Sequence, residues 1–386
     1  MGLGAIALAQ SGSASPASPA AALQAALESL HAHRYEEAES VALSLATDPA
    51  GAMPRAWSIV AAARQRRGKY ASAAKAHRLF LAFTDSPAMR QYAMEQIRVC
   101  QRAAEKPRAL VAPSRRLDAE ARRRLARVGQ ATCTESTDHF VVRARNAELA
   151  KLIAAEAEVA LDRICRVILA GQDYPHSVEI NVWADREDYR KHASDAPEWA
   201  GGSFRYSVAG GIATRRIDLT QRLADGRFAV VMLDRVLPHE MCHLVLQEYF
   251  GDTACPLFLN EGLAMLAESE IDNGRVALAG KAIAGKARIS LGGLFIRQRY
   301  DLDEPATFYA ESFSFVEFLH SRLTVEQFGA FLENVKGGCT VADALQRALC
   351  VPASESFVGS LASAWEDHAV AQAQYLEALG GLAAGQ

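Results

Sequence analysis

Pro238-His239-Glu240-Met241-Cys242-His243-Leu244-Val245-Leu246 is the stretch on which the fold of the central part of this chain turns. Apolar residues flank two histidines spaced four apart, so the segment reads as a buried helix that presents both imidazoles on one face. Positions four apart differ by about 40° around a helix and lie ~6 Å apart along it, so both rings can reach one ion. Glu240 then falls beside that ion rather than on it. This suits a general base for a water whose pKa a zinc ion lowers to about 7. The five-residue pattern alone recurs by chance on helices, and a third ligand is required.

An H-x-x-G-x-x-H continuation would require glycine at 246 and histidine at 249, where the chain has Leu246 and Tyr249. Instead Phe258-Leu259-Asn260-Glu261-Gly262-Leu263-Ala264 follows, with Glu261 as the third candidate ligand. Phe250-Gly251-Asp252 and Pro256 supply a turn that lets a second helix return toward the first. Two histidines and one carboxylate leave a fourth tetrahedral position for water, the arrangement of a catalytic zinc rather than a structural one.

These paired motifs resemble those of the gluzincin peptidases, the thermolysin-like clan whose ligands are H-E-x-x-H and a downstream Glu. Leu259-Asn260-Glu261-Gly262-Leu263-Ala264, with Glu268 seven beyond the ligand, is similar to the Asn-Glu-Gly segment of the clan's aminopeptidases. The wider order resembles the bacterial peptidase-MA-like domain, often found behind tetratricopeptide repeats, over roughly residues 135–370. It comprises the His139 strand, Asp185-Arg186-Glu187-Asp188, Trp199-Ala200-Gly201-Gly202, the two zinc motifs, Tyr309-Ala310-Glu311-Ser312-Phe313 and a last helix with Trp365. The resemblance implies Zn2+ held by His239, His243 and Glu261, with Glu240 as the base acting on a peptide or protein substrate. Two departures matter. No Gly-x-Met-Glu-Asn segment, which holds the substrate's amino terminus in the aminopeptidases, lies upstream, so internal cleavage is expected. Four positions after Glu261, where thermolysin-like enzymes carry an acid that supports a zinc histidine, stands Met265. Glu268 and Asn260 are the candidates to replace it.

Hydrolysis also needs a donor for the developing oxyanion. Tyr309 fits that role, and it equally fits a core tyrosine with a capped hydroxyl; the sequence leaves both open. His320 is a second choice, while His31, His77 and His368 read as structural. A free strand edge around Trp199–Arg205, or around Ile212–Leu219, would suit an extended peptide.

Upstream, His33-Arg34-Tyr35-Glu36-Glu37-Ala38 and Gly68-Lys69-Tyr70-Ala71-Ser72-Ala73 echo one another at 35 residues, each trailed by an amphipathic stretch and a proline, Pro49 and Pro87. The period and the Tyr-x-x-Ala step are similar to tetratricopeptide repeats; a generic helical bundle is the alternative. Next, Phe140-Val141-Val142 and Val178–Val182 alternate like strands around a helical Ala147–Leu169, and almost everything from Phe228 onward reads helical. The expected class is α+β: a tetratricopeptide-like helical segment, then a thermolysin-like zincin domain with a small mixed or antiparallel sheet and a mostly helical C-terminal part. The expected divisions are 1–21 as a signal-like or disordered segment, 22–104 helical, 105–134 linker and charged helix, 135–375 zinc domain and 376–386 tail.

The 386 residues are 50% hydrophobic and 23% charged, an ordinary globular balance. A formal net charge of −3, without basic runs interleaved with aromatics, argues against nucleic acid as a partner. No stretch in the mature chain reaches the ~18–20 uninterrupted apolar residues of a membrane span. Met1–Gln10 is apolar and ends in Ala7-Leu8-Ala9, resembling a signal peptide's core and cleavage site but lacking the basic start. It favours a periplasmic or secreted location over the cytoplasm. The seven cysteines form no CxxC and so no zinc cluster; Cys242 with Cys255, or Cys339 with Cys350, could bridge after export, against buried reduced thiols. Two functions stay in view: a zinc endopeptidase whose repeats dock a partner or shield the cleft, and a non-catalytic zinc-containing scaffold that works through the repeats.

Overall fold

The computed structural model describes residues 18–32, 34–48, 53–84, 86–105, 117–193, 201–268, 272–285, 287–298, 305–352, 354 and 356–381. Residues 1–17, on which the export expectation rests, and Trp199-Ala200 lie outside them.

Five helices come first, each packed on the next: α1 (Pro19–His31), α2 (Tyr35–Ala46), α3 (Ala56–Arg66), α4 (Tyr70–Phe83) and α5 (Pro87–Glu105). The 35-residue echo marks the starts of α2 and α4. There Ala38 and Ala73 are fully buried, so the small residue three after each tyrosine sits at a close helix contact. α1 already begins at Pro19, capped by the Ser18 hydroxyl, so the helical part starts before residue 22.

The second part holds a five-stranded sheet in the order β1 (Cys133–Ser136), β2 (Phe140–Ala144), β3 (Val178–Trp183), β5 (Ile212–Thr220), β4 (Gly202–Ala209). β2, β3 and β5 run parallel; β1 and β4 are antiparallel edges. The parallel pair β2–β3 is joined through α7 (Ala147–Ile168), whose Asn146 cap accepts the Leu149 amide at 3.0 Å. Asp185 likewise caps α8 (Arg186–His192), between β3 and β4. Gly210 and Gly211, both at positive φ, make the two-residue turn between β4 and β5. Phe140, Val142, Ile180, Val182, Ile217 and Leu219 alternate onto the sheet face that α7 and the histidine helix cover.

A short charged helix, α6 (Ala119–Leu125), precedes β1, and the expected linker does not run free. Leu125 joins the large core, and the carbonyls of Leu125, Ala126 and Arg127 accept bonds from Gln221 and Arg222 at 2.7–2.9 Å. The last eight helices are α9 (Leu237–Phe250), α10 (Leu257–Ala267), α11 (Asn273–Ala284), α12 (Leu291–Ile296), α13 (Pro305–Arg322), α14 (Val325–Lys336), α15 (Val341–Leu349) and α16 (Ser356–Gly381). α16 continues past the expected domain end at 375; Trp365 on it is fully buried and donates to Ser314 of α13 at 3.1 Å. Among the described residues no helix is long and apolar enough to cross a membrane.

The two parts have separate cores and meet where α5 packs on α13 and α16, with Arg66 bonded to Asn273 at 3.0 Å and Arg322 to Glu95 at 3.4 Å. All seven cysteines are free thiols, Cys350 exposed and Cys339 half-buried rather than buried. His77 bonds Gln65 at 3.2 Å and His368 bonds Glu317 at 2.9 Å, so both serve packing through partners the sequence pattern did not reveal.

α10 is buried on nearly all sides, and α13 crosses it at Gly262. A methyl group there would lie 2.4 Å from Val316 Cγ2 and 2.7 Å from the Ser312 carbonyl, so only glycine allows the approach. Beside this crossing, Glu311 is fully buried and accepts the Ile289 amide at 3.1 Å; burial pushes its carboxyl up to about 7. A carboxyl raised on folding contributes stability that is complete at acid pH and lost as the pH climbs through about 7. Thermal melts of Glu311→Gln against the parent should therefore show the variant more stable at pH 8, by something on the order of 2 kcal/mol, and the advantage shrinking toward pH 5.

Candidate metal centre

α9 and α10 are the two most deeply set helices near the sheet edge. Pro238 lies in the first turn of α9, directly after a π-helical turn over Met232–Val236, and Gly251 at φ 57° closes the helix. Pro256 then precedes α10, which returns with Glu261 on its inner side. The result is convergence: one ligand atom each from His239, His243 and Glu261 lies within 4.8 Å of the others. The two Nε2 atoms approach separate oxygens of Glu261, at 3.7 Å for His239 and 3.8 Å for His243. The rings stand edge to face with centroids 4.8 Å apart.

Each imidazole is held from behind. His239 Nδ1 lies 3.1 Å from Glu268 Oε1, and His243 Nδ1 lies 3.0 Å from Asn260 Oδ1. Both outer partners are acceptors, so each Nδ1 donates its proton outward and each Nε2 faces Glu261. Glu268 and Asn260, the two candidates to replace the acid missing at Met265, thus support one histidine each. Glu268 is clamped in turn: Arg235 Nε and Arg275 Nη1 both donate to its Oε2 at 2.9 Å, and Asp272 takes Arg235 Nη2 at 3.1 Å. Burial alone would raise the Glu268 carboxyl, but His239, Arg275 and Arg235 together keep it below its ordinary value and ionised. Arg235 stands one turn before His239 on the same helical run, the only sequence cue to its role; Arg275 left none.

Glu240 does not point at Glu261's partners. It is buried, and its Oε2 accepts the Phe204 amide of edge strand β4 at 2.8 Å, which fixes the carboxylate beside the histidine pair. A backbone amide from a distant strand has no signature in sequence, and this contact could not have been read there. Tyr309 lies on α13, half-buried. Burial first, then the charges of Glu261 and Glu240, raise its hydroxyl well above the ordinary tyrosine range, which sets it in the field of the same site. His320 is elsewhere, packed edge-on against Phe328 at 5.6 Å.

The arrangement asks for a cation. Burial works to lower the His239 pKa, yet the carboxylates of Glu261 and Glu268 on either side of the ring and the charge of Glu240 outweigh it and hold the ring at about 10. Two imidazole nitrogens and a carboxylate are the donor set that suits a divalent transition metal, and the residues present fit one.

The sequence profile of the peptidase MA superfamily matches residues 157–367, just over half of the chain. The chain belongs to the peptidase MA superfamily. The matched span contains the sheet from β3 onward, the two helices that bring His239, His243 and Glu261 together, and α13, so membership and geometry point to the same metallopeptidase-type hydrolase domain. No curated protein and no solved structure matches the chain.

The clamp on Glu268 can be measured apart from any turnover. Glu268→Ala should lower metal affinity by about 10- to 100-fold in a chelator competition, and Arg235→Ala by less, because Arg275 still holds the carboxylate. Unchanged affinity in both variants would remove the clamp from the account of the site.

Proposed function

We propose that this chain is a zinc-dependent endopeptidase whose ligands are His239, His243 and Glu261 and whose general base is Glu240. The observation that carries the reading is the meeting of both Nε2 atoms with the two oxygens of Glu261 while Glu240 is tethered alongside by the Phe204 amide. Bound zinc would supply Lewis acidity, making water nucleophilic near neutral pH and polarising the scissile carbonyl. Glu240 takes the proton from the attacking water and passes it to the departing amine; one oxygen stays on Phe204 while the other moves the proton. Tyr309 donates its hydroxyl to the carbonyl oxygen as negative charge builds there.

Substrate alignment falls to β4. β5 is paired on both sides, by β3 and β4, so the edge considered around Ile212–Leu219 is closed and the one around Trp199–Arg205 remains. Strand alternation that turns the Phe204 amide outward to Glu240 also turns outward the backbone groups of Tyr206 and Val208. An extended peptide can pair there through main-chain bonds with little dependence on sequence. The absence of a Gly-x-Met-Glu-Asn segment supports cleavage within chains rather than from their amino ends.

The competing reading is a scaffold with a structural zinc. A structural site gains nothing from a buried carboxylate tied next to its ligands, and Glu240 is the feature that favours catalysis. None of the described residues of the helices α1–α5 lines the cleft beside His243. They remain the candidate docking part for a protein partner.

Glu240→Gln should keep one zinc per chain while cutting hydrolysis of an unfolded protein by at least ~10³-fold. Tyr309→Phe should lower kcat by about 10²-fold with little change in KM. Hydrolysis retained in Glu240→Gln would refute the assignment of the base.

A further inference from the structure

Beside His243 a cleft of ≈ 360 Å³ opens between β4, the second half of α9 and the turn that joins α9 to α10. Its walls include Phe204, Leu246 and Phe250, and Asp252 stands at its rim. Leu246 and Phe250 are buried core residues that fix the floor, and the open lining is mixed, with Gln247, Thr253 and Asn260 beside Phe204. The volume is at the small end of the range for ligand pockets and exceeds what any single side chain needs.

Two features make this more than a surface dent. It is continuous with the proposed site: Phe204 belongs to the peptide-aligning edge as well as to the cleft, while His243 and Asn260 belong to the metal cage as well as to the cleft. The turn that carries Asp252 is also pinned. The Gly251 amide bonds the Gln247 carbonyl at 2.9 Å, the Gln247 side chain bonds the Gly251 carbonyl at 3.2 Å, and the Thr253 amide bonds the Phe250 carbonyl at 3.0 Å. Asp252 is therefore held in place as an exposed carboxylate. Among the described residues it makes no ion pair, and no lysine or arginine lines the cleft with it.

A mixed lining with one apolar side at Phe204, beside a carboxylate without an ion pair, matches a group that carries a positive charge at the end of a short aliphatic stem. Resting on the endopeptidase reading, we propose that Asp252 makes this cleft a specificity site for a positively charged group of the substrate, held next to the scissile bond on the His243 side. A lysine or arginine side chain supplies that chemistry, with its stem along Phe204.

The test uses the zinc-loaded full chain and unstructured peptides identical except at one position, where Arg, Lys, Leu or Glu is placed in turn along the sequence, each made with a free and an acetylated amino terminus. Binding is measured on Glu240→Gln by fluorescence anisotropy, and kcat/KM on the parent. At one position Arg and Lys should bind about fivefold tighter than Leu, with Glu weakest, the size expected of a partly exposed ion pair. Asp252→Asn should erase that order and Asp252→Arg should turn it toward Glu. A preference that persists on acetylated peptides assigns the cation to the side chain; one that disappears on acetylation points to the amino terminus and overturns the proposal. Equal binding of the four peptides at every position, no measurable binding, or a preference that survives Asp252→Asn would each overturn the proposal. Hydrolysis without any charge preference sinks the cleft and spares the peptidase; charge-selective binding with no hydrolysis by the parent does the reverse.

Discussion

Glu261 is a carboxylate almost without solvent, facing two imidazole nitrogens from the neighbouring helix, and the placement of the surrounding elements follows from what that requires. A buried charge is tolerated only when it is paired or bound to metal. Its helix must therefore lie against α9 at a fixed height, so that a side chain one residue too high or low would meet apolar surface instead of His239 and His243. Gly262 secures that height from the other side. Because it has no side chain, α13 can settle to within contact of the α10 backbone, and the ligand immediately before it has little freedom to move. The sheet completes the cage, since edge strand β4 brings the Phe204 amide to Glu240.

What could be read from the sequence follows from how local each feature is. The i, i+4 histidines and the acid between them lie within a single turn of helix, where geometry is set by the backbone alone. Glu261 was legible because a glycine and a proline announce the return of the chain, and because leucine and alanine on both sides mark a buried helix. Glu268 and Asn260 could be named as candidates by proximity, but nothing local chooses which histidine each supports. Arg235, Arg275 and the Phe204 amide depend on elements brought together only by the tertiary fold, and a backbone amide is the same in every residue. The sheet shows the same limit. Alternation exposed β2 and β3, but not β1, nor that β5 lies inside and β4 at the edge, which is decided by the crossover through α8. The charged segment before β1 looked like a linker because its arginines are exposed; the contacts that bind it are backbone carbonyls at 125–127, which have no compositional signal.

The charges around His239 explain why the outer residues matter as much as the ligands. Glu240, Glu261, Glu268 and Asp272 bring four carboxylates, and Arg235 and Arg275 bring two guanidiniums, so with neutral imidazoles the set carries an excess of two negative charges. A divalent ion neutralises that excess; without one, a proton on His239 is the partial substitute, which accounts for a ring held at about 10. If the two arginines were absent, the excess would double. The cage would then bind any cation strongly but would also repel its own parts, and Glu268 would lose the two bonds that keep its other oxygen on His239. The guanidiniums thus let three carboxylates crowd a pair of histidines in a nearly dry site while leaving the residual charge near that of a single metal ion. Orientation comes from the same contacts. Because Glu268 and Asn260 are acceptors only at the atoms they present, neither ring can swing its Nδ1 proton inward without losing a hydrogen bond, and each Nε2 is aimed at the position a metal would take.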